Sequence, residues 1–466
     1  MKTKLLTKHK SSLADIATPV SVYLKLRDVY PGSILMESSD FHHAENSYSY
    51  ICLDPLADFI VDKNHILTRI GNRVVEKQGI QKSSEVLNAL EKFIHSFELE
   101  NNGDHMNGFF GYMNFESVQY FENLNFQSTK YSDVIPMIRY HLYRYIISIN
   151  HFNDQITVTE NLFPGEKSGL DQLIFQIKNR PLSHYSFQTI SDEFQNMSSK
   201  EFKSLVNKAK NHCQRGDVFQ LVLSRRFKRQ FQGDDFNVYR ALRTINPSPY
   251  LFYFNYGDYR IMGSSPEIQL KTTGKEAFIN PIAGTFRRSG DDNEDREQAK
   301  HLLKDVKENS EHVMLVDLAR NDLSKSTDDV QVIKFKEIQF YSHVIHIVST
   351  VRGIMKKSDD GLKILTDTFP AGTLTGAPKI KALQLIDKYE PESRNFYGGG
   401  IGYIDIKGNI NHAIVIRSLL SEHNTLHYQA GAGIINKSNE ENECEEINHK
   451  LSALRKAISQ AELINE

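Results

Sequence analysis

Cysteine is scarce: Cys52, Cys213 and Cys444 are the only three in 466 residues, far apart and with no Cys-x-x-Cys spacing. This excludes a zinc-ribbon type of ligand set and a disulfide framework, and it suits a reducing compartment. None of the three sits in a Gly-x-Cys-x-Gly elbow, so the chain carries no signature of a nucleophilic cysteine. Long apolar runs are missing too. The basic start "MKTKLLTKHKSS" is followed by no stretch of signal-peptide length, and nothing approaches a membrane span, so a cytoplasmic chain is expected. Neither charge sign is in excess, with 56 Lys and Arg against 58 Asp and Glu. That removes any global electrostatic case for nucleic acid or an anionic membrane, and leaves anion binding to local clusters. Short repeats and low-complexity tracts are likewise absent.

What is present is the balance of an ordinary globular protein, 39% hydrophobic and 24% charged. Its length allows about three domain cores or one large interleaved unit. From about residue 20 to 165, short apolar runs such as "GSILMESS", "YSYICL" and "YRYIISI" alternate with polar turns, and "SSEVLNALEKFIHSFELE" has a helical pattern. The polar segment "NRPLSHYSFQTISDEFQNMSSKE" marks a join near 180 to 198, separating an N-terminal region, 20–180, from a second region, 198–460. In the second region a helix from Ser199 leads into the strand "VFQLVLSRRFKRQF", and a hairpin turns at Asn255 to Asp258. "EDREQAKHLLKDVKENSEHVMLVDLARNDL" reads as one long helix, and "SHVIHIVSTVRG" as a strand. A helix after Pro378, a hairpin turning at Lys407 to Asn409 and a final helix from Asn442 to Leu463 complete it.

Two helical segments carry Glu-x-x-Glu, Glu308 with Glu311 and Glu443 with Glu446, and a spacing of three puts each pair on one helix face. Such a pair is either solvated or meets a cation; carboxylates without histidines select a hard ion such as Mg²⁺. Arg417, in "HAIVIRSLL", is expected on a strand face shared with Ala413, Val415 and Leu419. There it needs an anion, either a structural carboxylate or a substrate carboxylate. Gly431 and Gly433 in "QAGAGII" admit either a ligand close to the backbone or a tight bulge. "GGGIG" runs into a strand rather than a helix and is no dinucleotide fingerprint. "GTLTGAPK" lacks a phosphate-loop ending, although Pro378 suits a first helical turn. His343 and His346 fall on opposite strand faces, which argues against a shared metal; His346 is either a core histidine or an acid–base group. Glu267, closing "GSSPE", and Gln220, in "DVFQLVL", are unremarkable on their own.

Taken together, "NPSPYLFYF", "GSSPE", "PIAGTFRR", "SEHVMLVDLARNDL", "TFPAGTLTGAPKIKA", "YGGGIGY", "IVIRS", "QAGAGII" and "ENECEE" resemble the chorismate-utilising enzymes, in their anthranilate-forming branch, across about residues 20 to 460. The resemblance implies an α+β fold: an interleaved antiparallel β-sandwich with helices outside and a cleft between the halves. Residues 20–180 would hold a tryptophan-regulated region, and 198–460 the chorismate-binding domain. Glu311 and Glu446 match Mg²⁺ ligands, with Glu308 and Glu443 beside them. Arg417, Tyr397 and the backbone of Gly431, Ala432 and Gly433 match the grip on the substrate's carboxylates, and Gly284 and Thr285 a loop lining the ring. Glu267 matches a general acid, and His346 an active-site histidine for elimination or positioning. Gln220 stands where water-adding relatives place a lysine base. Ala283 stands where aminodeoxychorismate synthases of the folate pathway, the alternative reading, generally carry a nucleophilic lysine.

The reaction implied is amination of chorismate at C2 and loss of pyruvate, giving anthranilate as the committed step toward tryptophan. Ammonia would be delivered by a separate glutamine amidotransferase subunit in a hetero-oligomer. "LMES" with Ser38, Ser49, and Pro247, Pro249, Tyr250 and Leu251 in the facing segment resemble a tryptophan feedback site. Met36 and Leu251, exchanged in type relative to many relatives, are expected to line one apolar pocket.

Overall fold

One long strand, Ile138–Asn150, organises the chain, and nearly all its residues are buried on both faces. Along one edge it pairs throughout with Tyr48–Val61. Its other edge is divided, with Gly108–Met113 beside residues 138 to 142 and Gln155–Leu162 beside residues 145 to 150. In the computed structural model of the protein, residues 2–38, 47–71, 73–127, 135–340, 344–357 and 360–464 are described.

Two antiparallel branches leave this strand. The first continues from Tyr48–Val61 through Ile34–Glu37, Tyr250–Asn255, Tyr259–Ser265, Ser418–Glu422 and Thr425–Ile434 to Gln220–Gly233. The second runs through Gly108–Met113, Gly400–Asp405, Ile410–Ile414, Ile268–Thr273 and Glu276–Ile279 to Val344–Met355. Ile282–Arg287 and Thr327–Phe340 flank that last strand on opposite edges. The outcome is the α+β interleaved sandwich. Strand Ile34–Glu37 lies between Tyr48–Val61 and Tyr250–Asn255, and Gly108–Met113 lies against Gly400–Asp405, so backbone ladders cross the expected join in two places. Within the join itself, Phe187–Thr189 and Phe194–Gln195 add short ladders to Gln220–Gly233.

The helices lie against these strands by one face. Glu440–Ala461 buries Ile447, Leu451, Leu454, Ile458 and Ala461, a spacing of three or four that leaves the opposite face wet. Ser199–Gln214 begins with a reciprocal cap between Ser198 and Glu201. The segment expected as one long helix is two, Asp292–Lys304 and Val306–Ser324. Asp305 between them is extended at φ −66 and ψ 117, and its carboxylate accepts the Glu308 N–H at 2.9 Å. A short acidic side chain satisfies a helix start better than it fills a helix interior, which is why the run breaks there. Among the described residues no helix is long and apolar enough to cross a membrane.

Candidate active site

Twice the chain passes from one branch to the other through a short link, and the two links lie side by side. Pro266 and Glu267 join Tyr259–Ser265 to Ile268–Thr273, and Val415 to Arg417 join Ile410–Ile414 to Ser418–Glu422. The Ile414 N–H donates to the Glu267 carbonyl at 3.0 Å, and the Ser264 N–H to the Arg417 carbonyl at 3.1 Å. Arg417 is therefore not on a continuous strand face as expected. It has φ +49, outside the strand region, so the alternation along "HAIVIRSLL" is interrupted before it. Glu267 is buried, and burial pushes its carboxyl up to about 8, against the opposing pull of the Thr373 hydroxyl and of the Arg417 and Lys450 charges. Arg417 is itself drawn down by burial, while Glu267 holds it up.

The loop Ala283–Thr285 reaches the same place from the second branch. Ala283 pairs with Ile347 and Thr285 with His346, leaving Gly284 as a bulge at φ +64. A Cβ there would meet Leu302 Cδ1 at 2.7 Å and Glu308 Oε2 at 3.3 Å, so only glycine fits and Glu308 lies against the loop. The side chain of Thr285 falls outside the described residues, as do those of Arg287 and Lys307 and the whole of His343. His346 is buried with Nδ1 2.8 Å from the Gly284 carbonyl. A carbonyl only accepts, so Nδ1 carries the proton and Nε2 the lone pair. Burial, with Arg417 adding to it, holds this imidazole down at about 4, neutral at physiological pH. Arg288 faces the start of the helix that follows it, pairing with Asp295 at 2.6 Å and Asp292 at 3.1 Å.

Strand Thr425–Ile434 supplies the third wall. Gly431, Ala432 and Gly433 pair with Ser224, Leu223 and Val222. A Cβ on Gly431 would lie 3.2 Å from the Tyr397 hydroxyl, and one on Gly433 2.5 Å from Gln220 Nε2, so Tyr397 and Gln220 lean on the two glycines. Tyr397 is buried and its hydroxyl correspondingly hard to ionise. Two participants escaped the sequence reading. Lys450 Nζ donates to the Gly431 carbonyl at 2.8 Å and pairs with Glu446 at 2.6 Å, and its charge also reaches Glu267. Thr373 acts on Glu267 from the turn Gly372–Thr375. Lys450 lies four residues after Glu446 on one helix, a spacing that could have revealed it; Thr373 carried no such signal.

The carboxylate pairs bracket this site. Glu308 reaches the Gly284 loop with Glu311, half-buried, one turn further along; Glu446 acts on Tyr397 beside Lys450, with Glu443 buried a turn earlier. Their oxygen donors suit a hard divalent ion. Among the described residues, no three His, Cys, Asp or Glu side chains gather into one ligand cluster.

The segments expected to bind tryptophan do come together. Leu251 pairs with Glu37 on one side and Ser264 on the other, and Tyr250 pairs with Ser265. Ser49 is buried with its hydroxyl 2.7 Å from His151 Nε2, Tyr250 donates to Asn411 at 3.0 Å, and Ser38 follows directly on Glu37. Pro247 and Pro249 are half-buried on the approach. Glu37 is held by Tyr239 at 2.6 Å and Arg243 at 2.9 Å. The expectation that Met36 and Leu251 line one pocket fails. Met36 pairs with Phe252, whereas Leu251 pairs with Glu37, and neighbours along a strand point to opposite faces. Met36 packs with Ile34, Cys52 and Phe254, and Leu251 with Leu35, Ile51 and Tyr253.

An interleaved antiparallel sandwich with an acid, a guanidinium and glycine-edged strands converging where its branches part is the arrangement of a chorismate binding enzyme. The profile of that family matches residues 36–456, and the chain belongs to it. It is 35% identical to anthranilate synthase component 1 of Aquifex aeolicus (strain VF5) over 97% of this chain and 94% of that protein. To the component of the same name from Thermus thermophilus it is 34% identical, over 97% and 98%. Among solved structures, anthranilate synthase component I from Streptococcus pneumoniae TIGR4 superposes with a TM-score of 0.77 at 28% identity, over 95% of this chain and 99% of that one. The menaquinone-specific isochorismate synthase of Escherichia coli, at 20% identity, shares the fold with a TM-score of 0.75 over 98% and 95%.

Proposed function

We propose that this chain converts chorismate and ammonia into anthranilate, pyruvate and water. The observation that carries the reading is Glu267, a buried carboxyl raised to about 8 beside the Arg417 guanidinium. Such a group keeps its proton at neutral pH and can give it to a departing hydroxyl, otherwise a poor leaving group. As ammonia bonds to C2, the ring double bonds shift and the C4–O bond breaks; the Glu267 proton goes to that oxygen, which leaves as water. In the second half the C2 proton and the enolpyruvyl C–O bond are lost, the ring becomes aromatic and pyruvate departs. His346, neutral and with its lone pair at Nε2, is the proton acceptor suited to that half. Arg417, Tyr397 and the Gly431–Gly433 backbone grip the substrate's carboxylates, and the loop at Gly284 and Thr285 lines the ring. Mg²⁺, held by Glu311 and Glu446 with Glu308 and Glu443 beside them, would supply Lewis-acid charge at the ring carboxylate.

Ala283 and Gln220 favour this product over its neighbours. A methyl group cannot attack C2 as a lysine would, and an amide cannot activate water. The relatives' designation as component 1 supports a partner subunit, which we take to be a glutamine amidotransferase, and the meeting of the Ile34–Glu37, Tyr48–Val61 and Tyr250–Asn255 strands beside Ser38 supports feedback by tryptophan. The test is purified chain with chorismate, Mg²⁺ and ammonium, followed by anthranilate fluorescence and chromatography. Anthranilate is expected; accumulation of aminodeoxychorismate or isochorismate instead overturns the reading.

A further inference from the structure

Arg394 is among the most deeply buried charges of the protein, at 1% exposure. Its guanidinium meets Glu390 twice, Nε at 2.9 Å and Nη2 at 2.6 Å. The remaining bonds go to backbone carbonyls of two separate elements, Nη1 to Leu374 at 2.5 Å and Nη2 to Val222 at 2.8 Å. The plane lies over the rings of Phe115, 4.7 Å from its centroid, and Tyr397, at 5.8 Å. Glu390 is tied in turn to the strand, accepting the N–H and hydroxyl of Ser224, each at 2.8 Å. The backbone is pinned too: the buried Glu116 carboxylate accepts the N–H groups of Arg394 at 2.6 Å and Asn395 at 2.9 Å.

Each anchored point adjoins a group of the proposed active site. Leu374 follows Thr373, which acts on Glu267. Val222 pairs with Gly433 and Ser224 with Gly431. Tyr397 bears on Gly431. A buried ion pair is weak as pure stabilisation, because desolvation of both charges offsets their attraction. A planar, five-donor fork is nonetheless suited to holding several elements at fixed separations.

We propose that Arg394 is a positioning residue for the reaction: through one guanidinium it fixes the Thr373–Leu374 turn, the Val222–Ser224 edge and the Tyr397 ring relative to one another. The acid, the glycine-edged strand and the phenol then face the same ligand. This rests on the reading of the site given above. A lysine keeps the charge but cannot reach Glu390, Leu374 and Val222 together.

The test compares wild type with Arg394→Lys, Glu390→Gln and Arg394→Ala, the last with and without added guanidinium. The readouts are circular dichroism, kcat and KM for chorismate, and the pH profile of chorismate consumption. Misplacement by a fraction of an ångström predicts a fall in kcat on the order of 10²-fold for folded Arg394→Lys and Glu390→Gln, with a displaced alkaline limb. Guanidinium is expected to restore part of the Arg394→Ala activity. Folded variants whose kcat and pH profile match wild type overturn the proposal. So does loss of folding in all three variants, which would make the role structural. Wild-type turnover to a product other than anthranilate overturns the functional reading alone; a wild type that consumes no chorismate overturns both.

Discussion

Glu267 and Arg417 lie in neighbouring links between the two branches, each fixed through its own carbonyl, to Ile414 at 3.0 Å and to Ser264 at 3.1 Å. The backbone therefore fixes where the two side chains start, and in the structure the Arg417 charge is felt by the Glu267 carboxyl. A neighbouring guanidinium acts to depress a carboxyl. Burial outweighs it here, and the group sits at about 8.

Turnover is therefore expected to need the protonated form of Glu267. Expressed per free ammonia, the rate should be level through neutral pH and fall about tenfold per unit above roughly pH 8, as the acid is lost. Glu267→Gln should lower kcat by about 10²- to 10⁴-fold and abolish that limb. Steady-state kinetics across neutral and alkaline pH check both; an unchanged limb in the variant removes Glu267 from the role.

The same shift has a cost in stability, and its sign is definite. Raised from 4.5 to about 8, the native carboxyl keeps its proton where the unfolded one has lost it. Its contribution is complete below pH 4.5 and declines by about 1.4 kcal/mol per unit until about pH 8. At pH 7 the inactive Glu267→Gln should thus be more stable than wild type, by up to about 3 kcal/mol. Urea denaturation at pH 5 and pH 7 measures it, the gain being smaller at the lower pH.

Arg417→Lys keeps the charge but loses the two-pronged grip on a carboxylate. KM for chorismate is expected to rise about 10- to 100-fold, corresponding to roughly 1.5–3 kcal/mol of charged hydrogen bonding. A change confined to kcat would place the guanidinium elsewhere in the cycle.

Glu446→Gln should leave the fold intact and abolish Mg²⁺-dependent turnover, because it removes a hard oxygen donor and frees Lys450 from its 2.6 Å pair. Calorimetric titration of Mg²⁺ in the presence of chorismate checks it; wild-type metal affinity in the variant would exclude Glu446 as a ligand.

For regulation, Ser38→Phe is expected to relieve tryptophan inhibition while sparing catalysis. Tyr250→Ala should weaken inhibition, whereas Leu251→Ala, its strand neighbour on the opposite face and buried with Leu35 and Tyr253, should affect stability alone. The chain contains no tryptophan, so the ligand is the one source of indole fluorescence and its binding can be followed directly. Equal loss of affinity in both variants would contradict the face assignment.

Most of the candidate site was legible because its residues occur in motifs with a recognisable order, and the carboxylate pairs declared their common faces by spacing alone. What stayed hidden was hidden for physical reasons. The apolar run around Arg417 has strand periodicity on both sides of the link, so the break at φ +49 leaves no mark in hydrophobicity. Asp305 sits between two stretches of equally good helix formers, and only its backbone conformation shows that it is a cap. Met36 and Leu251 belong to segments whose register against each other is a tertiary fact, invisible until Met36 is seen opposite Phe252. Thr373 becomes significant only because the chain returns Glu267 to it.

Strand Ile34–Glu37 lies between Tyr48–Val61, made shortly after it, and Tyr250–Asn255, made nearly half the chain later. During synthesis its outer edge therefore waits, unpaired, for a partner still to leave the ribosome. Pairings of such long sequence separation close slowly. The exposed edge of the half-made chain is then a place where two nascent copies could pair with each other, or where a chaperone would have to bind first.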